Sequence, residues 1–523
     1  MITLLDYGAG NVRSVTNAIE SLGETVKTVT SREDILSAQK LVFPGVGAFG
    51  SMMHSLHAHQ YVEPLKAYLR SDRPFLGICL GLQALFDRSE EASDVNGLGI
   101  MAGTVKRFTT SLSVPHIGWN GLNFKQSSRI FAGLSADEKY YFVHSYYVAA
   151  DDAAVILTTT DYGYEFVSSI QKGNIIATQF HPEKSGAAGL LILRNFLESA
   201  SEAIMPVRSS GNTALAKRII ACLDVRSNDR GDLVVTKGDQ YDVRQNGDVR
   251  NLGKPVELAR RYYQEGADEI TFLNITGFRD FPLKDIPMLE ILRQTSKNVF
   301  VPLTIGGGIR DYTDKGGRKY SALEIATEYF RSGADKVSIG SDAVLIAESY
   351  LKNGHPTGKS AIEEISRVYG SQAVVVSIDP RRIYVKSPEE SRHTVIETAI
   401  PGPAGQHYCW YQCTIKGGRE GRDLDAITLA KICESLGAGE ILLNCIDRDG
   451  TNLGFDIELI NAVTAAVSIP VIASSGAGRV EHFLEVFTAT EAESALAAGI
   501  FHRREIPIGE VKKYLDGKVE VRR

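Results

Sequence analysis

Cysteine is scarce, with six residues in a chain of 523, no C-x-x-C pair and no regular spacing. That argues against a disulfide framework and against a zinc site built on paired thiols, and it fits a reducing compartment. Positive charge is not in excess either: 57 Lys plus Arg stand against 63 Asp plus Glu, a formal net charge of −6. Without a basic stripe, no nucleic-acid partner is expected. Long apolar runs are also missing, since no window approaches the roughly 18 apolar residues of a membrane-spanning helix, so no membrane partner is expected. The opening segment from Met1 to Gly8 lacks the basic start of a secretory signal and the Arg-rich character of a transit peptide. It reads as a buried strand entering a turn. A cytoplasmic location is expected, with the plastid stroma as the alternative if a transit peptide has been removed. What is present is an ordinary globular composition, 43% hydrophobic and 23% charged, which argues against disorder, collagen-like repeats and coiled coils.

The first two hundred residues alternate short apolar runs with helical stretches. Strand candidates are Ile2 to Leu5, Leu41 to Phe43, Phe75 to Cys79, Tyr141 to Val143 and Ile175 to Phe180. Such alternation predicts an α/β domain, an open and mostly parallel sheet with helices on both faces. Residues 201–216 are small and polar, without either hydrophobic period, and read as a linker between a domain at 1–200 and a second at 217–523.

The second domain repeats itself. Arg218-Ile219-Ile220-Ala221-Cys222-Leu223-Asp224 returns as Ala373-Val374-Val375-Val376-Ser377-Ile378-Asp379, and Gly266-Ala267-Asp268-Glu269-Ile270 as Gly437-Ala438-Gly439-Glu440-Ile441. Val301 to Gly308 returns as Ile469 to Gly478. Landmarks repeated in the same order imply a duplicated half. Each half supplies about four strand-then-helix units, and two halves close a (β/α)8 barrel with its chemistry at the carboxyl ends of the strands.

In the first domain, Gly77-Ile78-Cys79-Leu80-Gly81 lies between a strand and a helix. This is a nucleophile elbow with Cys in the place of Ser, where glycines permit the sharp turn and the helix N-terminus favours a thiolate. Alone, Cys79 reads equally well as a buried core thiol. A nucleophile needs a base and something to orient it, and His181-Pro182-Glu183 supplies both just after the last strand. Pro44-Gly45-Val46-Gly47-Ala48-Phe49-Gly50 contains a formal G-x-G-x-x-G, but it follows a later strand rather than the first and is better read as an oxyanion loop. Backbone N–H groups around Val46 and Gly47, with that of Leu80, would hold the negative oxygen formed when a thiolate attacks a carbonyl.

These residues resemble the class I (triad) glutamine amidotransferases over about residues 1–200. The resemblance implies that Cys79 attacks the side-chain amide of glutamine, giving a glutamyl thioester and ammonia, that His181 shuttles the proton and that Glu183 orients His181. It also implies that Gln83, His144 and Ser145 hold the glutamine.

In the barrel, Asp224 and Asp379 end strands one and five and suit general acid and base roles. The glycine-rich turns at Gly306-Gly307-Gly308 and Ser475-Gly476-Ala477-Gly478 let backbone N–H groups approach phosphates. Two such turns on one mouth imply a long substrate with a phosphate at each end. With Asn444 to Gly450, this pattern resembles the cyclase barrel of the imidazole glycerol phosphate synthase family, and the whole chain resembles its fused, bifunctional form from fungi and plants. The resemblance implies that ammonia attacks a bisphosphorylated aminoimidazole-carboxamide ribonucleotide bearing a ribulosyl-formimino arm. The products would be imidazole glycerol phosphate, for histidine synthesis, and the aminoimidazole carboxamide ribonucleotide of purine synthesis. Asp224 and Asp379 would then be the acid/base pair and Lys237 a loop lysine on the substrate. Gly308, Gly340 and Ser341 would lie at one phosphate; Asp449, Gly450, Gly476, Ala498 and Gly499 would lie at the other. Asn274, where the separate bacterial barrel has an aspartate, and Ser475, in place of a glycine, depart from the pattern. Inserts at 311–319 and 387–406 have no assignable role.

Arg218, Glu269, Lys336 and Glu440 sit at or just before the starts of alternate strands. By themselves they read as solvated salt bridges on the barrel bottom; the family resemblance implies an ion-paired gate for ammonia, with Asp335 facing the glutaminase. No metal and no cofactor are expected, and His54, His57 and His59 are spaced poorly for a tetrahedral site. The expected partners are the small-molecule substrates, the only interface the one between the two domains, and the chain a monomer. A related histidine-pathway sugar isomerase would have no use for a glutaminase, and a dead sensor would have no use for Cys79, His181, Glu183, Asp224 and Asp379 together.

Overall fold

The computed structural model describes residues 1–8, 10–198, 211–228, 233–236, 244–245, 248–249, 251–275, 286–313 and 317–523. Lys237 lies outside them, as does most of the stretch read as a linker.

In the first domain Ile2–Leu4, Leu41–Gly45 and Phe75–Cys79 pair in parallel, flanked by Val26–Thr28 on one side and Ile175–Thr178 on the other. Every residue of the three central strands is buried, which is why they read as unbroken apolar runs. Alternate residues serve opposite faces. Ile2, Leu4, Val42, Leu76 and Ile78 pack with helices Val12–Ser21 and Gly186–Glu198. Leu5, Leu41, Phe43 and Phe75 pack with Phe49–Ala58 and Val62–Arg70. Beyond Ile175–Thr178 the sheet turns antiparallel through Glu165–Lys172, Tyr146–Ala150 and Gly103–Arg107. The parallel arrangement expected from sequence therefore describes one half of a mixed sheet. The reason is local: only Gly173 and Asn174 join Glu165–Lys172 to Ile175–Thr178, a hairpin loop too short for a parallel crossover. Tyr140–His144 leaves the main sheet and pairs with His116–Asn120 in a ribbon of its own.

The second domain is a closed parallel barrel. Its strands are, in order, Arg218–Ser227, Glu269–Asn274, Leu303–Gly306, Lys336–Ile339, Val374–Ile378, Glu440–Asn444, Val471–Ser474 and Ser494–Ala497, and the last pairs with the first. Ile220, Cys222, Val375, Leu442, Ile472 and Leu496 fill its axis. At the 311–319 insert Tyr312–Thr313 pairs antiparallel with Lys319–Tyr320. The 387–406 insert adds strand Ile396–Glu397 to a sheet made with Pro380–Val385, Tyr408–Ile415 and Glu420–Asp425. Cys409 and Cys413 are strand residues there.

The end of the linker region is anchored rather than loose. Lys139 Nζ donates to the carbonyls of Asn212 at 3.2 Å and Ala214 at 2.7 Å, and the Ala216 N–H to that of Trp119 at 2.9 Å. Among the described residues no helix is long and apolar enough to cross a membrane.

Candidate active site

Strand Phe75–Cys79 delivers Cys79 directly to the helical turn Leu80–Gln83. Cys79 takes φ 54° and ψ −104°, a strained conformation for any residue but glycine. The tight turn also needs Gly81, where a Cβ would lie 2.0 Å from the Phe43 carbonyl oxygen. His181 and Glu183 are buried, with Nδ1 2.8 Å from Glu183 Oε1. That bond fixes the tautomer and leaves Nε2, which has no hydrogen-bond partner, to handle a proton. Burial works to lower the His181 pKa, but the Glu183 carboxylate and the Cys79 sulfur outweigh it and hold it up at about 10. The imidazole therefore keeps its proton across the neutral range.

The oxyanion-loop candidates lie beside this pair. Val46 lines a small cavity with Gly45, Tyr141, His181 and Asp335, and its carbonyl accepts a 2.7 Å hydrogen bond from Tyr7. Gly47 has φ 126°, and a Cβ there would meet the Val368 carbonyl oxygen at 2.9 Å. The Ala48 N–H donates to that same carbonyl at 3.3 Å, so the loop rests on a helix of the barrel, Ala361–Tyr369. Leu80 opens the helical turn behind Cys79. Gln83, His144 and Ser145 are all buried; Gln83 Nε2 and His144 Nδ1 both reach the Tyr146 carbonyl, at 3.0 and 2.7 Å.

Directly beneath, the barrel bottom carries a closed ring of charge. It is drawn from the starts of strands one, two, four and six rather than from strictly alternate strands, since Arg218 is long enough to reach both glutamates. Arg218 pairs with Glu269 at 2.9 Å and with Glu440; Lys336 pairs with Glu269 at 2.8 Å and Glu440 at 2.6 Å. All four side chains are at most 1% exposed, so the solvated reading of these residues fails. The glutaminase covers this end of the barrel, which removes the water that would otherwise screen the pairs. Burial alone would raise Glu440, yet Arg218 and Lys336 hold it below the usual carboxylate range. Asp335 faces the glutaminase: Lys184 Nζ is 2.6 Å away, and Asn11 Nδ2 donates to it at 2.7 Å.

At the opposite end of the barrel the mouth forms one long trough. A cavity of about 220 Å³ is lined by Asp379, Gly308, Gly340 and Ser341; a second, of about 140 Å³, by Gly450, Gly476 and Gly499. Asp224, Asp449 and Ala498 line both, so Asp224 stands where they meet. Asn274 is buried and lines the wider cavity. Ser475 takes a left-handed φ of 75°, and Gly307, its counterpart in the repeat, takes one of 101°. Burial raises the Asp379 pKa, partly offset by hydrogen bonds from Asn444 Nδ2 at 2.8 Å and Ser377 Oγ at 3.4 Å. Among the described residues no group of His, Cys, Asp or Glu could hold a metal ion, and His54, His57 and His59 sit on and after an exposed helix end.

Two family profiles match the chain: glutamine amidotransferase class-I over residues 3–200 and histidine biosynthesis protein over residues 218–507. The chain is 59% identical to the chloroplastic imidazole glycerol phosphate synthase hisHF of Arabidopsis thaliana, covering 100% of this chain and 89% of that one. It is 55% identical to the hisHF synthase of Emericella nidulans, covering 99% and 98%. The HisF subunit of Methanosphaera stadtmanae is 42% identical over the barrel portion, covering 58% of this chain and 97% of the subunit. The chain belongs to the imidazole glycerol phosphate synthase family. It is the fused form, a glutamine amidotransferase joined to a cyclase of histidine biosynthesis.

The enzyme also holds residues at its sites that sequence reasoning passed over. Asn444 binds Asp379 from the neighbouring strand, although its segment was read only for a phosphate. Gln179 touches Cys79 Sγ, and Asn11 and Lys184 meet Asp335 across the interface. Among these, Gln179 carried a sequence signal, since it stands two residues before His181 at the end of the strand.

Proposed function

We propose that residues 1–200 generate ammonia from glutamine and that residues 217–523 use it without releasing it to water. Cys79 attacks the glutamine amide carbon, the amine leaves with the proton carried by His181, and water cleaves the thioester to glutamate. Glu183 holds the imidazole, Leu80, Val46 and Gly47 supply the oxyanion donors, and Gln83, His144 and Ser145 hold glutamine. In the mouth, Gly308, Gly340 and Ser341 hold one phosphate; Asp449, Gly450, Gly476, Ala498 and Gly499 hold the other. Asp224 and Asp379 then serve as the acid/base pair that cyclises and cleaves the phosphoribulosyl-formimino substrate. Lys237 belongs to the same proposal by family resemblance. Both sites lie in one chain, so a monomer suffices. The cytoplasm is the proposed location, with the plastid as the alternative that the plant relative's name supports.

The observation that carries this reading is the buried ion ring at the strand starts of the barrel, with a Cys–His–Glu set on one side of it and a mouth with two adjoining cavities on the other. The test is glutamate release measured with and without the bisphosphorylated substrate. Release should rise when the substrate is added, with one glutamate per imidazole product; release that ignores the substrate, or runs well ahead of product, counts against channelling.

The ring itself is the proposed gate for ammonia. Lys336→Ala removes one cation and leaves Arg218 as the shared cationic partner of Glu269, which also keeps the Thr304 hydroxyl at 2.7 Å, and of Glu440, opening the ring without touching either set of reacting groups. Ammonia-dependent cyclisation should stay within about twofold of the parent, while glutamate released per product rises by about threefold or more, as expected when a closed buried pair loses one member. Unchanged stoichiometry would sink the gate.

A further inference from the structure

Two side chains of the same strand end reach the nucleophile. Ile175–Thr178 ends in a bend at Gln179 and Phe180 that leads into His181, and both Gln179 and His181 are buried there. Gln179 is fully buried, and its side-chain Nε2 lies 3.4 Å from Cys79 Sγ, within reach of an N–H···S hydrogen bond.

The direction of that hydrogen bond follows from the groups behind it. The Tyr146 carbonyl can only accept, and it takes one hydrogen bond from His144 Nδ1 at 2.7 Å and one from Gln83 Nε2 at 3.0 Å. Gln83 must therefore turn its nitrogen inward. Its second hydrogen goes to Gln179 Oε1 at 3.2 Å. With its oxygen engaged, Gln179 can present only N–H to the sulfur. An amide donor favours a thiolate over a thiol, because the thiol is a weak acceptor and the anion a strong one.

We infer that Gln179 is a further catalytic residue of the glutaminase, its side-chain amide holding the Cys79 thiolate between turnovers. This rests on the proposed role of Cys79 as nucleophile. When the thiolate attacks the glutamine carbon, the S–C bond forms, the C–N bond breaks, and the His181 proton leaves with the amine as ammonia. The sulfur then becomes a neutral thioester and a poorer acceptor. Attack by water, with its proton passing to His181, breaks the S–C bond and returns the thiolate to the waiting N–H. Gln179 thus makes sulfur a better leaving group in the second step, and Gln83 ties its orientation to the pocket where glutamine binds.

The test uses the full chain carrying Gln179→Met, which keeps the shape and removes the donor, and Gln179→Glu, which is isosteric and sets a carboxylate against the sulfur. The rate of alkylation by iodoacetamide is followed against pH. Burial pushes the other cysteines, Cys222, Cys409, Cys413, Cys433 and Cys445, upward, so reaction near neutral pH reports on Cys79. In Gln179→Met the midpoint should rise by about one pH unit and the rate at pH values below the parent midpoint fall about tenfold, as for one lost hydrogen bond to an anion. In Gln179→Glu the midpoint should rise further. Glutamine hydrolysis should fall about 10- to 100-fold with ammonia-dependent cyclisation unchanged. A midpoint at or below the parent value in either variant overturns the inference. Cys79→Ala run alongside separates the two ideas: if it still hydrolyses glutamine, the nucleophile assignment fails, whereas the Gln179 inference fails when Cys79→Ala is inert and the alkylation profiles superimpose.

Discussion

Cys79→Ala is expected to lose glutamine-dependent cyclisation by about 10⁴-fold or more while keeping cyclisation with ammonium salts within about twofold. The first number follows from what the sulfur supplies, since no neighbouring group can form the thioester and removal of a nucleophile of this kind costs several orders of magnitude. The second follows from the layout. Cys79 lies beneath the barrel floor, and the trough that holds Asp224 and Asp379 opens at the other end, with the ion ring between them. Alanine is small enough for the buried elbow and makes no new contact, although it inherits the strained φ of 54° at a cost of about 1–3 kcal/mol that the cysteine already bears. The measurement is product formation by one preparation under two nitrogen sources. Loss with both would contradict two separate sites, and retention with glutamine would remove Cys79 from the chemistry.

Much of this layout was legible because it is written in short spacings along the chain. The elbow, the His-Pro-Glu turn and the paired strand-end aspartates each lie within a few residues of a strand terminus, where one strand–turn unit fixes what faces what. The half-barrel repeat made the closure of the barrel predictable for the same reason. What escaped depends on which surfaces are covered. Arg218, Glu269, Lys336 and Glu440 could be found at strand starts, but only the docked glutaminase decides that they are buried. Trp119, whose indole N–H donates to the Asp268 carbonyl at 3.3 Å, and Tyr141 belong to that docking and carry no local signal of it. Asn444 meets Asp379 only because strands five and six are neighbours in the barrel, 65 residues apart in sequence. The antiparallel half of the first sheet had a visible cue, since Gly173-Asn174 is a loop of two residues that leaves room only for a hairpin.

Asp379→Asn is expected to abolish cyclisation with either nitrogen source, by about 10²–10⁴-fold, the usual contribution of a positioned acid or base. The same substitution should leave basal glutamine hydrolysis intact, which makes it the mirror image of Cys79→Ala. Its environment also predicts a direction with pH. Burial holds the Asp379 carboxyl above its ordinary pKa, and the N–H of Asn444 opposes that by favouring the ionised form. Asn444→Leu deletes this donor, so the pKa should climb further and the protonated acid should persist to higher pH. If Asp379 donates a proton in the rate-limiting step, the alkaline limb of the ammonia-dependent kcat moves up in Asn444→Leu; if it accepts one, the acidic limb moves up instead. Each point must be taken at saturating free ammonia, so that ionisation of the nucleophile does not set the limb. Asp224 has its own place at the junction of the two cavities, and its limb should stay where it is, because Asn444 makes its hydrogen bonds with Ser377 and Asp379. A profile in which neither limb shifts would mean that Asp379 keeps one protonation state through turnover, and its part would then be to hold the substrate rather than to move a proton.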